Sequence, residues 1–146
     1  MITRKYKSTD YSTIEKIYNA AKPDELQFES RQVDLIPFAL DGKRRDELLS
    51  SDIVICDAGE ACGFGAIKGD KITGLFVLPK YRRRGAATLI LSQLIKERAK
   101  DISLWVTKRN LPAQQLYQHS GFHYQSELIV VYNHVPIDVV EMSLSR

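Results

Sequence analysis

The chain has 146 residues, of which 44% are hydrophobic, and its 21 basic and 18 acidic side chains leave a net charge of +3. That length makes a single domain, residues 1–146, with enough apolar surface for a proper core, and the charge is too mild to argue for a nucleic-acid partner. Met1-Ile-Thr-Arg-Lys-Tyr-Lys has no apolar run behind its charges and no segment reaches membrane length, so a cytoplasmic protein with no membrane partner is expected.

Ile2 to Lys7 reads as an opening strand, and Ser8-Thr9-Asp10 caps a helix whose apolar stripe is Ile14, Ile17, Tyr18 and Ala21. Pro23 is predicted to end it. Beyond lie Asp24-Glu25-Leu26-Gln27-Phe28-Glu29, then an amphipathic helix carrying Leu35, Ile36, Ala39 and Leu40, an Asp41-Gly42 stop, and a short helix ending at Leu48-Leu49. Glu25 and Glu29 beside Phe28 would receive a cationic amine through charge and ring contact, although a solvated face with one packed aromatic explains the same residues. Asp52 to Cys56 and Ala61 to Lys68 form a hairpin. Cys56 and Cys62 flank its turn at no metal-ligand spacing with the histidines, so no metal is expected, and they read as reduced, half-buried strand residues. The Gly69-Asp70 turn leads to a strand from Lys71 to Val77, inside which Gly74 marks a bulge or a close approach.

Residues 72–88 run as strand, basic turn and helix start without a gap. The helix shows Ala87, Ile90, Leu91, Leu94, Ile95 and Arg98 at helical spacing, so its first turn points unpaired N–H groups at the Arg82-to-Gly85 turn. Those donors, the helix dipole and Arg82, Arg83 and Arg84 make a site for a polyanion. Gly85, followed by small Ala86 and Ala87, lets backbone approach such a ligand. A solvated charge cluster and a nucleic-acid patch are the competing readings of the same arginines. Residues 102–122 repeat the pattern: a strand, an Asn110 cap before Leu111-Pro112, and a helix with Ala113, Leu116 and Tyr117 on one face. Gly121 follows as its αL stop. Two last strands, Tyr124 to Tyr132 and Val135 to Leu144, join tightly at Asn133-His134.

Together the two strand–turn–helix segments resemble the GNAT superfamily of acyl-CoA-dependent N-acetyltransferases. Arg82-x-x-Gly85-x-Ala87 matches its acyl-CoA motif Arg/Gln-x-x-Gly-x-Gly/Ala, after Val77, Pro79 and Tyr81. Asn110, Ala113, Leu116, Tyr117, Gly121 and Phe122 match its second motif. The resemblance implies an α/β (α+β) fold with a mixed, mostly antiparallel sheet of roughly six or seven strands flanked by about four helices. It implies acetyl-CoA as co-substrate, its pyrophosphate cradled by Arg82, Arg83, Arg84, Gly85, Ala86, Ala87 and Thr88. The pantetheine would run along Leu75, Phe76 and Val77, with the Val77 N–H as oxyanion donor. Asn110 would bond to CoA as well as cap, and Tyr117 would contact it and act as general acid toward the thiolate.

The acceptor, attacking directly in a ternary complex, would be a primary amine of a small molecule, a peptide N-terminus or a lysine. Its base departs from part of the family. Where ribosomal-protein N-terminal acetyltransferases carry a glutamate this chain has Trp105, and no acid lies between Lys71 and Val77. A water chain, or an acid such as Glu25 or Glu29, is left for that role. A non-catalytic acyl-CoA sensor or scaffold is the alternative, since fold does not fix function. A homodimer through the edge of the last hairpin is the remaining expectation.

Overall fold

The computed structural model describes residues 1–96 and 98–146. Its elements in chain order are β1 (Ile2–Lys5), α1 (Tyr11–Leu26), α2 (Gly42–Leu49), β2 (Asp52–Asp57), β3 (Ala61–Lys68), β4 (Lys71–Val77), α3 (Ala86–Lys96), β5 (Ile102–Thr107), α4 (Leu111–His119), β6 (His123–Tyr132) and β7 (Val135–Leu144). The strands form one seven-stranded sheet in the order β1-β2-β3-β4-β5-β7-β6, with β4 and β5 parallel and every other neighbouring pair antiparallel. The mixed sheet and its four helices are those the sequence motifs implied.

Each face of the sheet carries its own core. On one face α3 and α4 bury Ile90, Leu91, Leu94 and Tyr117 against Ile72, Leu104 and Val106. On the other, α1 and α2 bury Ile14, Ile17, Tyr18 and Leu48 against Ile55, Phe64 and Phe76. The predicted apolar stripes of α1 and α3 supply these contacts directly. Arg98 lies past the end of α3, where its guanidinium bonds to the Gly69 carbonyl and to Asp52.

Four local expectations are corrected. Pro23 does not end α1, which runs on to Leu26. An interior proline costs about 3 kcal/mol, but burying one leucine returns about 1.5–3 kcal/mol, and Leu26 is buried against Ile137 and Val139. The amphipathic helix through Leu35 and Ile36 does not form: the chain is irregular there, and only Phe38–Leu40 makes a 3-10 turn. Pro37 disfavours helical backbone at Ile36. The amides that a helix would have used are taken by side chains instead, Ile36 N–H by the Tyr132 hydroxyl at 2.7 Å and Phe38 N–H by Asn19 Oδ1 at 2.9 Å. Asp41-Gly42 begins a helix rather than stopping one, because the Asp41 carboxylate accepts the Arg44 N–H at the head of α2. Cys56 and Cys62 are fully buried, not half-buried, and both are free thiols.

The sheet departs from regularity where it positions the site. Opposite β3, Ala66 pairs with Gly74 and Ile67 with Ile72, which leaves Thr73 as the extra residue of a bulge in β4. A side chain at Gly74 would place its Cβ 2.6 Å from the Phe76 ring and 3.0 Å from Leu48, so only glycine lets α2 and Phe76 close over the bulge. Past the bulge β4 leaves β5: they pair at Lys71 with Ser103 and at Ile72 with Leu104, and no further.

Candidate active site

The parting of β4 and β5 opens a cavity of about 860 Å³ that runs through the sheet from α3 and α4 on one side to α1 and α2 on the other. The free edge of β4 forms one wall. The Leu78 N–H bonds to the Cys62 carbonyl on the β3 side, so strand alternation turns the backbone groups of Val77 and Leu75 toward the cavity. The Val77 carbonyl faces that way, since it accepts a hydrogen bond from the Arg82 guanidinium at 3.1 Å.

At one end of this wall lies the turn before α3. Gly85 has φ of 86°, a conformation that costs an L-residue about 1–2 kcal/mol, and open space surrounds the place of its absent Cβ. Leu89 is the first residue of α3 to close a helical bond, onto the Gly85 carbonyl at 3.0 Å. Among the described residues the amides of Gly85, Ala86, Ala87 and Thr88 find no acceptor, and all four residues line the cavity. The turn therefore offers a row of amide donors with the positive end of the α3 dipole behind it.

The three arginines of the turn separate. Arg82 pairs with Asp24 from the last turn of α1 as well as with the Val77 carbonyl. Arg83, with φ of 60°, lines the cavity. Arg84 does not; its guanidinium stacks over Tyr81, 5.5 Å from the ring centre.

On the opposite wall α4 presents Asn110 and Tyr117. Asn110 caps the helix through Oδ1, which accepts the Ala113 N–H at 3.3 Å, while its side-chain amide donates to no described residue. Gln114 fixes the helix start by donating to the Thr107 and Lys108 carbonyls at 3.2 and 2.7 Å. Tyr117 is 9% exposed and packs edge-on against Phe122, with ring centres 6.0 Å apart. Its hydroxyl bonds to no described residue, yet it is not sealed in as the Tyr18 hydroxyl is. Burial, and after it the negative charge of Glu25, push the Tyr117 pKa well above the ordinary tyrosine range. A raised pKa keeps the phenol protonated, which is the form that donates.

The predicted acceptor residues also divide. Glu25 and Phe28 line the cavity, Glu25 holding Lys22 at 3.0 Å. Glu29 does not: its side chain is 4% exposed, borders a smaller depression beside α1 and approaches Arg109 at 3.5 Å. Leu75, Phe76 and Val77 all line the cavity. Sequence reading missed Asp24, Arg44, Lys71 and Tyr132, which line it from α1, α2, β4 and β6. Asp24 follows a proline read as a helix stop, and Arg44 sits in a short helix of which the sequence reading named only the Leu48-Leu49 end. The expected charge at Glu25 and ring contact at Phe28 were what pointed to this side of the molecule.

Comparison with known proteins fits this geometry. The profile described as Acetyltransferase (GNAT) family matches residues 11–122. Over 66 residues, 44% of each protein, the chain is 36% identical to the peptidyl-lysine N-acetyltransferase YiaC of Escherichia coli (strain K12), so the match spans less than half of that enzyme. A GCN5-related N-acetyltransferase structure from Rhodopseudomonas palustris superposes with a TM-score of 0.81 at 20% identity, covering 99% of this chain and 95% of that one. YncA of Salmonella typhimurium, solved with its cofactor acetyl-CoA, gives a TM-score of 0.71 at 18% identity over 99% and 93% of the two chains. The chain belongs to the GNAT family of acetyltransferases.

Proposed function

We propose that the protein is an N-acetyltransferase that moves the acetyl group of acetyl-CoA to a primary amine by direct attack in a ternary complex. The observation that carries this reading is the parted edge of β4, which joins the free amides of Gly85 to Thr88 to the Tyr117 hydroxyl in one cavity. Bound there, acetyl-CoA supplies an activated thioester and a thiol leaving group. Amides of Gly85 to Thr88, with Arg83 beside them, would hold its pyrophosphate. Arg84, turned onto Tyr81, would serve the wider positive field instead.

The Val77 N–H would stabilise the negative charge that grows on the carbonyl oxygen, and Leu75 and Val77 would bond to the extended arm. Asn110 would donate its side-chain amide to CoA while its oxygen caps α4. An alkyl ammonium has a pKa near 10.4, so a base must first free the amine. Glu25, which lies in the cavity and close enough for its charge to act on Tyr117, would be that base. As the C–N bond forms and the C–S bond breaks, Tyr117 protonates the departing sulfur and regains a proton from those the nitrogen sheds. The other leaves through Glu25 to solvent. Phe28 would pack against the acceptor, and Glu29, held by Arg109, has no part.

Two free, buried thiols at Cys56 and Cys62 fit a reducing compartment such as the cytoplasm. No described helix is long and apolar enough to cross a membrane. A homodimer would pair through the outer edge of β6, where Ile129 and Val131 are 67% and 72% exposed. The function is tested by following release of the CoA thiol from acetyl-CoA with a panel of amines and amine-bearing peptides. Amine-dependent release with formation of the amide supports the enzyme. Tight acetyl-CoA binding with no turnover of any amine would make the protein a sensor instead.

A further inference from the structure

The acceptor half of the cavity carries a chemistry of its own, whose reading rests on the proposed acetyltransferase function. Arg44 rises into it from α2 with its side chain 25% exposed and its guanidinium 6.0 Å from the centre of the Phe76 ring. A guanidinium has five N–H donors in a planar fork. Among the described residues, the Arg44 side chain uses that fork on one partner, Glu47, through one nitrogen. Burying the rest without acceptors is unfavourable. The free part of the fork has the shape that holds a carboxylate.

Its neighbours lean the same way. Lys71 lies with Nζ 3.3 Å from the centre of the Trp105 ring and pairs with no described carboxylate. Tyr132 accepts the Ile36 N–H through its hydroxyl oxygen, which leaves its proton to be donated into the cavity. Across from Arg44, Glu25 enters from the last turn of α1. Both charges are felt by the same two phenols: burial chiefly raises the pKa of Tyr18 and Tyr132, and of the lesser influences Glu25 adds to that rise while Arg44 opposes it. A carboxylate and a guanidinium thus border one patch of the cavity from two helices. A plain alkylamine uses only the first of them, whereas a molecule with an ammonium and a carboxylate uses both.

We propose that the acceptor is an amine that also carries a carboxylate, its nitrogen received at Glu25 and its carboxylate held by the Arg44 fork with the Tyr132 hydroxyl as second donor. Arg44 is then a specificity residue: it positions the acceptor and takes no part in proton transfer. The carboxylate can come from a free amino acid or from an acidic residue beside the amine of a peptide.

The test compares amino acids with their own amides as acceptors, at saturating acetyl-CoA, alongside short peptides with and without an acidic residue next to a lysine or N-terminus. The expected result is a preference of tenfold or more in kcat/KM for the acid over the amide. Arg44→Gln should abolish the preference through a higher KM for the acid, with the rate on the amide within about threefold and acetyl-CoA affinity unchanged. Arg44→Lys, which keeps the charge and loses the fork, should retain part of it and guards against a variant that folds poorly. Preference confined to the acidic peptides assigns the carboxylate to a polypeptide, and preference among the free amino acids assigns it to a metabolite. Amides acetylated as well as their acids would overturn the proposal while leaving the acetyltransferase intact. Acetyl-CoA bound with no acceptor used at all would overturn both.

Discussion

Replacing Tyr117 by phenylalanine removes one oxygen from a side chain whose ring stays packed against Phe122, so the fold should survive and the chemistry should slow. General acids contribute about 10²–10⁴-fold. A thiolate leaves tolerably without help, which places Tyr117→Phe at the lower end: kcat should fall about 100-fold while KM for acetyl-CoA stays within about twofold, as measured by steady-state kinetics. Because burial and Glu25 both raise the Tyr117 pKa, the wild-type rate should climb with pH as the amine loses its proton, with no fall below about pH 10. A second residue-scale prediction concerns stability. The Asp10 carboxylate takes two hydrogen bonds from Arg4, at 2.8 and 2.9 Å, and one from the Lys7 N–H, and chiefly through Arg4 its pKa is lowered from 3.8 to about 2. The folded state therefore favours the ionised form, and its stabilisation is present above pH 3.8 and lost as pH falls through about 2. A shift of that size corresponds to about 2 kcal/mol, and since the Arg4 side chain is 36% exposed, screening reduces it to about 1 kcal/mol. Asp10→Asn should lose that amount in urea unfolding at pH 7, and the gap to wild type should shrink from about pH 4 downward; a gap independent of pH would refute the assignment.

At the scale of elements, the proposed function gives the Asn110 cap of α4 a second role, toward CoA. Asn110→Ala should cost about 1 kcal/mol of stability and weaken acetyl-CoA binding. Asn110→Ser restores a cap and should recover most of the stability without the affinity, because the hydroxyl is too short to offer the lost amide donor. Equal recovery of both, by denaturation and titration, would confine Asn110 to capping. This element was legible in the sequence because Asn-Leu-Pro is a local signal, with cap oxygen and first-turn proline adjacent in the chain. The strand and turn before α3 were legible for the same reason. The end of α1 and the segment through Leu35 were not. Their conformations depend on Leu26 meeting Ile137, Asn19 meeting Phe38, and Tyr132 meeting Ile36, contacts between positions far apart in sequence. Local rules gave a proline stop and a helix there, and tertiary burial and side-chain acceptors overruled both.

Across the whole molecule the same division separates the halves of the cavity. The half proposed to hold the cofactor is built from contiguous residues of β4 and α3 and from the start of α4, so its motifs show in the chain. The acceptor half draws Glu25, Arg44, Lys71 and Tyr132 from four elements, and no spacing in the sequence links them. Even within the cofactor half, side-chain direction escaped notice: the arginine triplet reads as one cluster, but folding sends Arg82 to Asp24 and Arg84 to Tyr81. Everything proposed about the acceptor depends on the cofactor half being real, and that is the point to test first. Acetyl-CoA should be titrated calorimetrically into the wild-type protein and into Gly85→Val, whose branched side chain is strained at φ of 86° and stands in the open space before the amides. Micromolar binding by the wild type is expected, with a loss of at least tenfold in a folded variant. No binding by the wild type, or equal binding by the two, would contradict the cofactor site.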